Sequence, residues 1–141
     1  MTRPASRGGA VVVCGLSSGV TLPPVESLVR WAPDTFVERE LAARRELDLP
    51  PSSWMVLLTG NVADLDAFAT AARQLLDESV PLERIGPMPT PGGDGTSLLL
   101  RTPRSHAPAV AKAVAAARGI RSAHKLPGTV TVRVDPSGAL L

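Results

Sequence analysis

The sequence predicts a small α+β domain, and three observations carry that prediction. First, Gly128 to Val134 alternates cleanly, with Val130, Val132 and Val134 on one side and Thr129, Thr131 and Arg133 on the other, the two-residue period of a half-buried strand. Second, Leu65, Phe68, Ala69, Ala72, Leu75 and Leu76 recur at helical spacing, as do Val110, Val114 and Ala117. Third, short apolar runs at Trp54–Gly60, Leu82–Pro87 and Thr96–Thr102 are set around those helices. The resulting order is β-α-β-β-α-β, the split-βαβ or ferredoxin-like pattern, in which two helices cover one face of a four-stranded antiparallel sheet and leave the other face free.

The elements follow in chain order. Ala10 to Cys14 is a valine-rich run of the kind buried on both faces of a parallel sheet, yet no further βαβ unit follows to flank it. Ser17 to Pro24 reads as a loop and Val25 to Trp31 as a short helix. Thr35 and Glu38 stand in capping-box spacing ahead of a charged helix whose narrow apolar side is Phe36, Val37, Leu41 and Leu47. Glu40 and Arg44 are placed to pair, and Pro50 and Pro51 stop the helix before the first strand. Asn61 is positioned to cap the next helix. The run Pro89–Gly95 is a turn by composition. Ser105 is expected to cap the last helix, with Pro108 in its first turn and Gly119 at its end.

The chain of 141 residues has room for one domain and some extra length. Its single cysteine, Cys14, excludes an internal disulfide and fits a reducing compartment. No apolar run approaches the roughly 18 residues that a membrane span needs, and no clear cleavage site marks a targeting peptide, so a cytoplasmic protein is expected. Arginine outnumbers lysine 13 to 2, which reads as a GC-rich coding sequence more than as chemistry. Net charge is only +2, but residues 1–95 hold 8 Lys/Arg against 12 Asp/Glu, while residues 96–141 hold 7 against 1. An acid-poor half of this kind attracts phosphates.

The stretch Glu40-Leu41, Arg44, Pro50-Pro51 carries a resemblance, as do Ile85-Gly86-Pro87 and Val134-Asp135-Pro136 farther on. Together with Leu28-Val29-Arg30-Trp31, they make the chain similar to the C-terminal part of the PriA (primosomal protein N-prime) replication-restart helicase family, in its actinobacterial form. The resemblance implies three parts: a remnant of the second helicase lobe over residues 1–31, a linker helix over 32–51, and a ferredoxin-like C-terminal domain over 52–141. The run at Ala10–Cys14 is then an isolated strand left from that lobe. A methionine at the start of such a piece suggests a partial gene. The resemblance also implies DNA, single-strand-binding protein and other primosome components as partners.

Several other chemistries fail on the residues. Gly15-Leu16-Ser17-Ser18-Gly19 has the form of a nucleophile elbow, but Pro23 and Pro24 oppose the helix that must follow, and nothing brings Asp94, His106 or His124 to Ser17. No phosphate-binding G-x-x-x-x-G-K-[ST] run is present, so the chain is not expected to hydrolyse ATP, to act as an enzyme by itself or to carry a cofactor. Cys14, His106 and His124 lack the paired spacing of metal ligands. Strand three has no aromatic for bases to stack on. What remains is phosphate contact through Arg101, Arg104, Arg118, Arg121, Lys125 and Arg133, with His106 and His124 as weaker helpers. The competing expectation is a free-standing ferredoxin-like interaction module, dimerising through its open sheet face.

Overall fold

The computed structural model describes residues 22–90 and 95–136, together with Ser6, Gly8, Gly9, Cys14 and Gly15. Its chain divides into two units, Met1–Arg39 and Glu40–Leu141. The expected strand at Ala10–Cys14 lies almost wholly outside the described residues, as do Ser17 and Asp94.

In the first unit, Pro23 and Pro24 begin helix α1 (Pro23–Arg30) rather than belonging to the loop before it. Proline suits a first turn because the donor it lacks has no partner there. Trp31 ends the helix in the left-handed conformation (φ 52°), and the Ala32 N–H reaches back to the Ser27 carbonyl at 2.9 Å. Helix α2 (Pro33–Glu46) starts two residues before the expected cap. Thr35 is therefore inside it, and its hydroxyl donates to the Ala32 carbonyl at 2.9 Å. The narrow apolar side is only partly used: Phe36 and Leu41 are half-buried, whereas Val37 and Leu47 are exposed. The Glu40–Arg44 pair forms at 2.6 Å.

Helix α2 also ends earlier than its prolines require. Asp48 adopts φ 49°, the Asp48 N–H bonds the Arg45 carbonyl at 3.2 Å, and the Leu49 N–H bonds that of Arg44 at 2.8 Å. This is a Schellman end built on aspartate instead of glycine. Helix α4 (Ala107–Ala123) ends the same way on Lys125 (φ 48°), with the Leu126 N–H on the Arg121 carbonyl at 3.1 Å. Gly119, expected to stop that helix, sits inside it. The expected cap Ser105 lies in a 3-10 turn, Arg104–His106, that leads into it. Without a φ > 0 demand on Gly119, the apolar face at Val110, Ala113, Val114 and Ala117 carries the helix one turn further.

The sheet has the order β2-β3-β1-β4, antiparallel throughout: β1 (Ser53–Gly60), β2 (Glu83–Pro89), β3 (Thr96–Pro103) and β4 (Thr131–Val134). With α3 (Val62–Gln74) after β1 and α4 after β3, this is the expected split βαββαβ fold. Trp54, Val56 and Leu58 of β1 and Leu98 and Leu100 of β3 face the two helices. There they meet Leu65, Phe68, Ala69, Ala72, Val110, Val114 and Ala117 in one core. Asn61 caps α3, its side chain accepting from the Asp64 N–H at 2.9 Å. Strand β4 is shorter than its alternation suggests: Val130 and Val132 pack on the core, and Val134 is exposed.

The far face of the sheet differs from expectation. Met55 and Leu99 point away from the helices, yet each is only 1% exposed. Leu57 and Ile85 beside them are half-buried. That face is therefore covered at its centre, not free.

Candidate nucleic-acid interface

Three of the six cations that the sequence singles out have partners within the fold. Arg101 lies on the far face of β3, between Glu83 on β2 and Met55 on β1. Its Nε and Nη2 donate to Glu83 Oε2 at 2.7 and 2.6 Å, and its Nη1 to the Leu47 and Asp48 carbonyls at 3.1 and 3.3 Å. Arg121, on the last turn of α4, donates to Asp64 Oδ1 at 2.6 Å, to the Gly128 carbonyl at 3.2 Å and to that of Pro127. Both members of the Arg121–Asp64 pair are largely buried, at 13% and 17% exposure. Arg104 makes a looser, exposed pair with Asp135 at 3.6 Å. The other carboxylate oxygen of Asp135 accepts the Met55 N–H at 3.4 Å, extending the β1–β4 pairing by one residue.

Arginines outside that set behave alike. Arg73 donates to the Val80 carbonyl at 2.6 Å and to that of Glu78 at 3.1 Å. Arg44 reaches the Pro50 carbonyl at 3.0 Å, and Arg84 of β2 pairs with Asp66 of α3. Arg44, Arg73, Arg101 and Arg121 each serve two or more acceptors. A planar fork serves two or three fixed acceptors at once, which a single ammonium does poorly.

The other three, Arg118, Lys125 and Arg133, are exposed, and their side chains make no hydrogen bond or ion pair among the described residues. Lys112, which sequence reasoning passed over, shares this state. Arg118 and Lys112 lie on the solvent side of α4, a helix with no acidic residue, and Lys125 follows directly after it. Arg133 is different. It stands opposite Leu57 on the far face of the sheet, since its neighbour Val132 packs on the helix-side core. The six candidates therefore do not gather on one side. A basic segment of chain does not become a basic half in space, because Asp64 and Glu83 come from earlier elements to meet Arg121 and Arg101.

The Asp64 carboxylate is a junction. It accepts from Arg121, meets the Asn61 amide and lies against Gly128, whose φ is +76°. A Cβ at Gly128 would stand 1.9 Å from Asp64 Oδ2. Four segments (the β1–α3 turn, α3, the end of α4 and the approach to β4) are tied there. No motif marks this, for Asp64 and Arg121 are 57 residues apart.

Two open grooves lie away from the small cleft of about 210 Å³ beside Arg101, Glu83 and Asp48. One of about 310 Å³ runs between α3 and α4, over Leu75, Leu76, Val80, Ala109, Lys112 and Ala116. Asp77 at its rim holds its carboxyl below the usual range, chiefly through the Ser79 hydroxyl and then the Ser79 N–H. The other, about 490 Å³, is lined by Thr59, Asn61, Thr96, Thr129 and Thr131 at the β1–α3 turn. Among the described residues, no cluster of three His, Cys, Asp or Glu side chains stands ready for a metal. No described helix is long and apolar enough to cross a membrane.

Comparison with known proteins agrees with this architecture. The chain is 33% identical over 150 residues to the probable replication restart protein PriA of Mycobacterium tuberculosis, and 33% identical over 147 residues to that of Mycobacterium leprae. Each alignment covers 96% of this chain but 22% of the relative, so the chain spans about a fifth of the length of the curated relatives it matches. Residues 45–137, from the end of α2 to just past β4, match the family described as the primosomal protein N C-terminal domain. The chain belongs to the primosomal protein N C-terminal domain family.

Proposed function

We propose that this chain serves in replication restart as a non-catalytic module that contacts DNA phosphates, positions the restart machinery on branched or single-stranded DNA, and works in the cytoplasm. Single-strand-binding protein and other primosome components are its proposed partners. Family membership supports the setting. The observation that carries DNA contact is the exposed Arg118 and the adjoining Lys125 at the end of α4, a helix with no acidic residue, with side chains that have no partner among the described residues; Lys112, also exposed, shares its groove with Asp77. Arg104, more than half exposed, and Arg133 on the other face are secondary contacts. A dimer through the open sheet face gains no support, because Met55 and Leu99 at its centre are buried.

Phosphate contacts release counterions, so log Kd changes linearly with log salt by about 0.7–0.9 per contact. Forked-DNA affinity measured by fluorescence anisotropy across a salt series is expected to weaken steeply. Arg118→Ala should lower the slope by about 1 and weaken binding to all sequences alike. Lys125→Gly should do the same while raising stability by roughly 1 kcal/mol, since glycine takes the left-handed C′ position without a Cβ penalty. Opposite signs on binding and stability separate loss of a contact from damage to the fold. Absence of binding at low salt, or a slope indifferent to both substitutions, would sink the DNA reading.

A further inference from the structure

Helix α2 contains no buried residue, so apolar burial does little to hold its end to the sheet. What holds it is polar. The carbonyls of Leu47 and Asp48 accept from Arg101 Nη1, the Asp48 carbonyl also accepts from Ser53 Oγ at 2.6 Å, and Glu83 holds the other edge of the guanidinium. A cation set against carbonyls at a helix C-terminus also answers the negative end of the helix dipole. The stem of Arg101 is anchored in β3, beside the buried Met55, so the clasp is fixed at its sheet end and meets a weakly packed helix at the other.

We infer that Arg101 is a positioning residue, the pin of a clasp that sets where α2 leaves the domain, and that Leu47–Ser52 is a hinge that opens with the sheet intact. Segments with few buried contacts open locally at free energies well below global unfolding, and the clasp joins Arg44 on the Pro50 carbonyl and the Arg104 N–H on the Ser52 carbonyl in keeping this one shut. This inference does not rest on DNA binding. A guanidinium suits position 101, where one fork reaches a carboxylate and two carbonyls on different elements, which an ammonium does poorly in fixed geometry.

Amide hydrogen exchange on the full chain tests it. The reporters are Leu47, Asp48 and Leu49, whose N–H groups bond the carbonyls of Ala43, Arg45 and Arg44. Arg101→Gln is expected to speed their exchange about tenfold relative to the β1 and β3 core amides, and Arg101→Lys and Glu83→Gln about threefold. Leu100→Ala should act in reverse, speeding the core amides more than the reporters. An equal rise in reporters and core on Arg101→Gln would make Arg101 an ordinary stabilising residue and overturn the hinge. Reporters that do not respond would overturn it as well.

Discussion

Gly128→Ala is expected to remove about 3 kcal/mol of stability: roughly 1–2 for forcing a Cβ into the left-handed region, and about 1–3 for the charged hydrogen bonds that must break. The second part follows from the 1.9 Å approach to Asp64 Oδ2. A carboxylate at the end of a free side chain would swing aside at little cost. This one is held by Asn61 and by Arg121, so moving it opens the junction and leaves a largely buried guanidinium short of its partner. A double-mutant cycle separates the two parts. Asp64→Ala alone should be destabilising, through the lost ion pair, but adding Gly128→Ala to it should cost only the conformational share. The pair should therefore be less than additive by at least about 1 kcal/mol. Urea denaturation of the four proteins measures this, and strict additivity would mean that the junction is not under the constraint described.

The second large effect lies in the core. Phe68 is an aromatic side chain buried on α3, flanked by Leu65, Ala69 and Ala72 and facing β1 and β3. Phe68→Ala should cost about 3–5 kcal/mol, as expected when a buried aromatic leaves a cavity that its surroundings fill only in part. The neighbouring alanines have no side chain to reach into that space, which places the estimate toward the upper end. A domain of this size has about 5–10 kcal/mol in all, so the variant should lose a large share of its stability and melt at a much lower temperature. Phe68→Leu, which keeps most of the volume, should cost about 1 kcal/mol. Thermal melts by circular dichroism distinguish the two.

Local signals made most of the fold legible. Asn61 with the apolar spacing of α3, and the valine–threonine alternation of β4, are patterns that need no knowledge of distant residues. Where expectation and structure part, a longer-range or subtler effect wins. Thr35 and Glu38 matched a capping box, but Pro33, suited to a helix's first turn, starts α2 sooner. Asp48 and Lys125 end helices in a conformation that favours glycine, so the glycine signal points to Gly119 and to neither of them. The far face was expected free because strand patterns report which side is apolar, not what covers it; Met55 and Leu99 carried no mark of burial beyond their own hydrophobicity.

The site was less legible than the fold for a physical reason. A cation's availability depends on whether an acid or a carbonyl lies beside it, and for Arg101 and Arg121 those partners come from elsewhere in the chain. Sequence counted Arg118 and Arg121 as equals three positions apart. The structure exposes one and buries the other against Asp64. Lys112 stands alone in an alanine-rich run with no motif around it, and its side chain has no partner among the described residues.

A two-dimensional ¹⁵N NMR titration of the chain with a short forked DNA at low salt tests the account most directly. Shifts concentrated on the outer side of α4 and through Lys125, with the Arg121 junction unchanged, are the predicted result. Shifts centred on the far sheet face, or no shifts at saturating DNA, would contradict it.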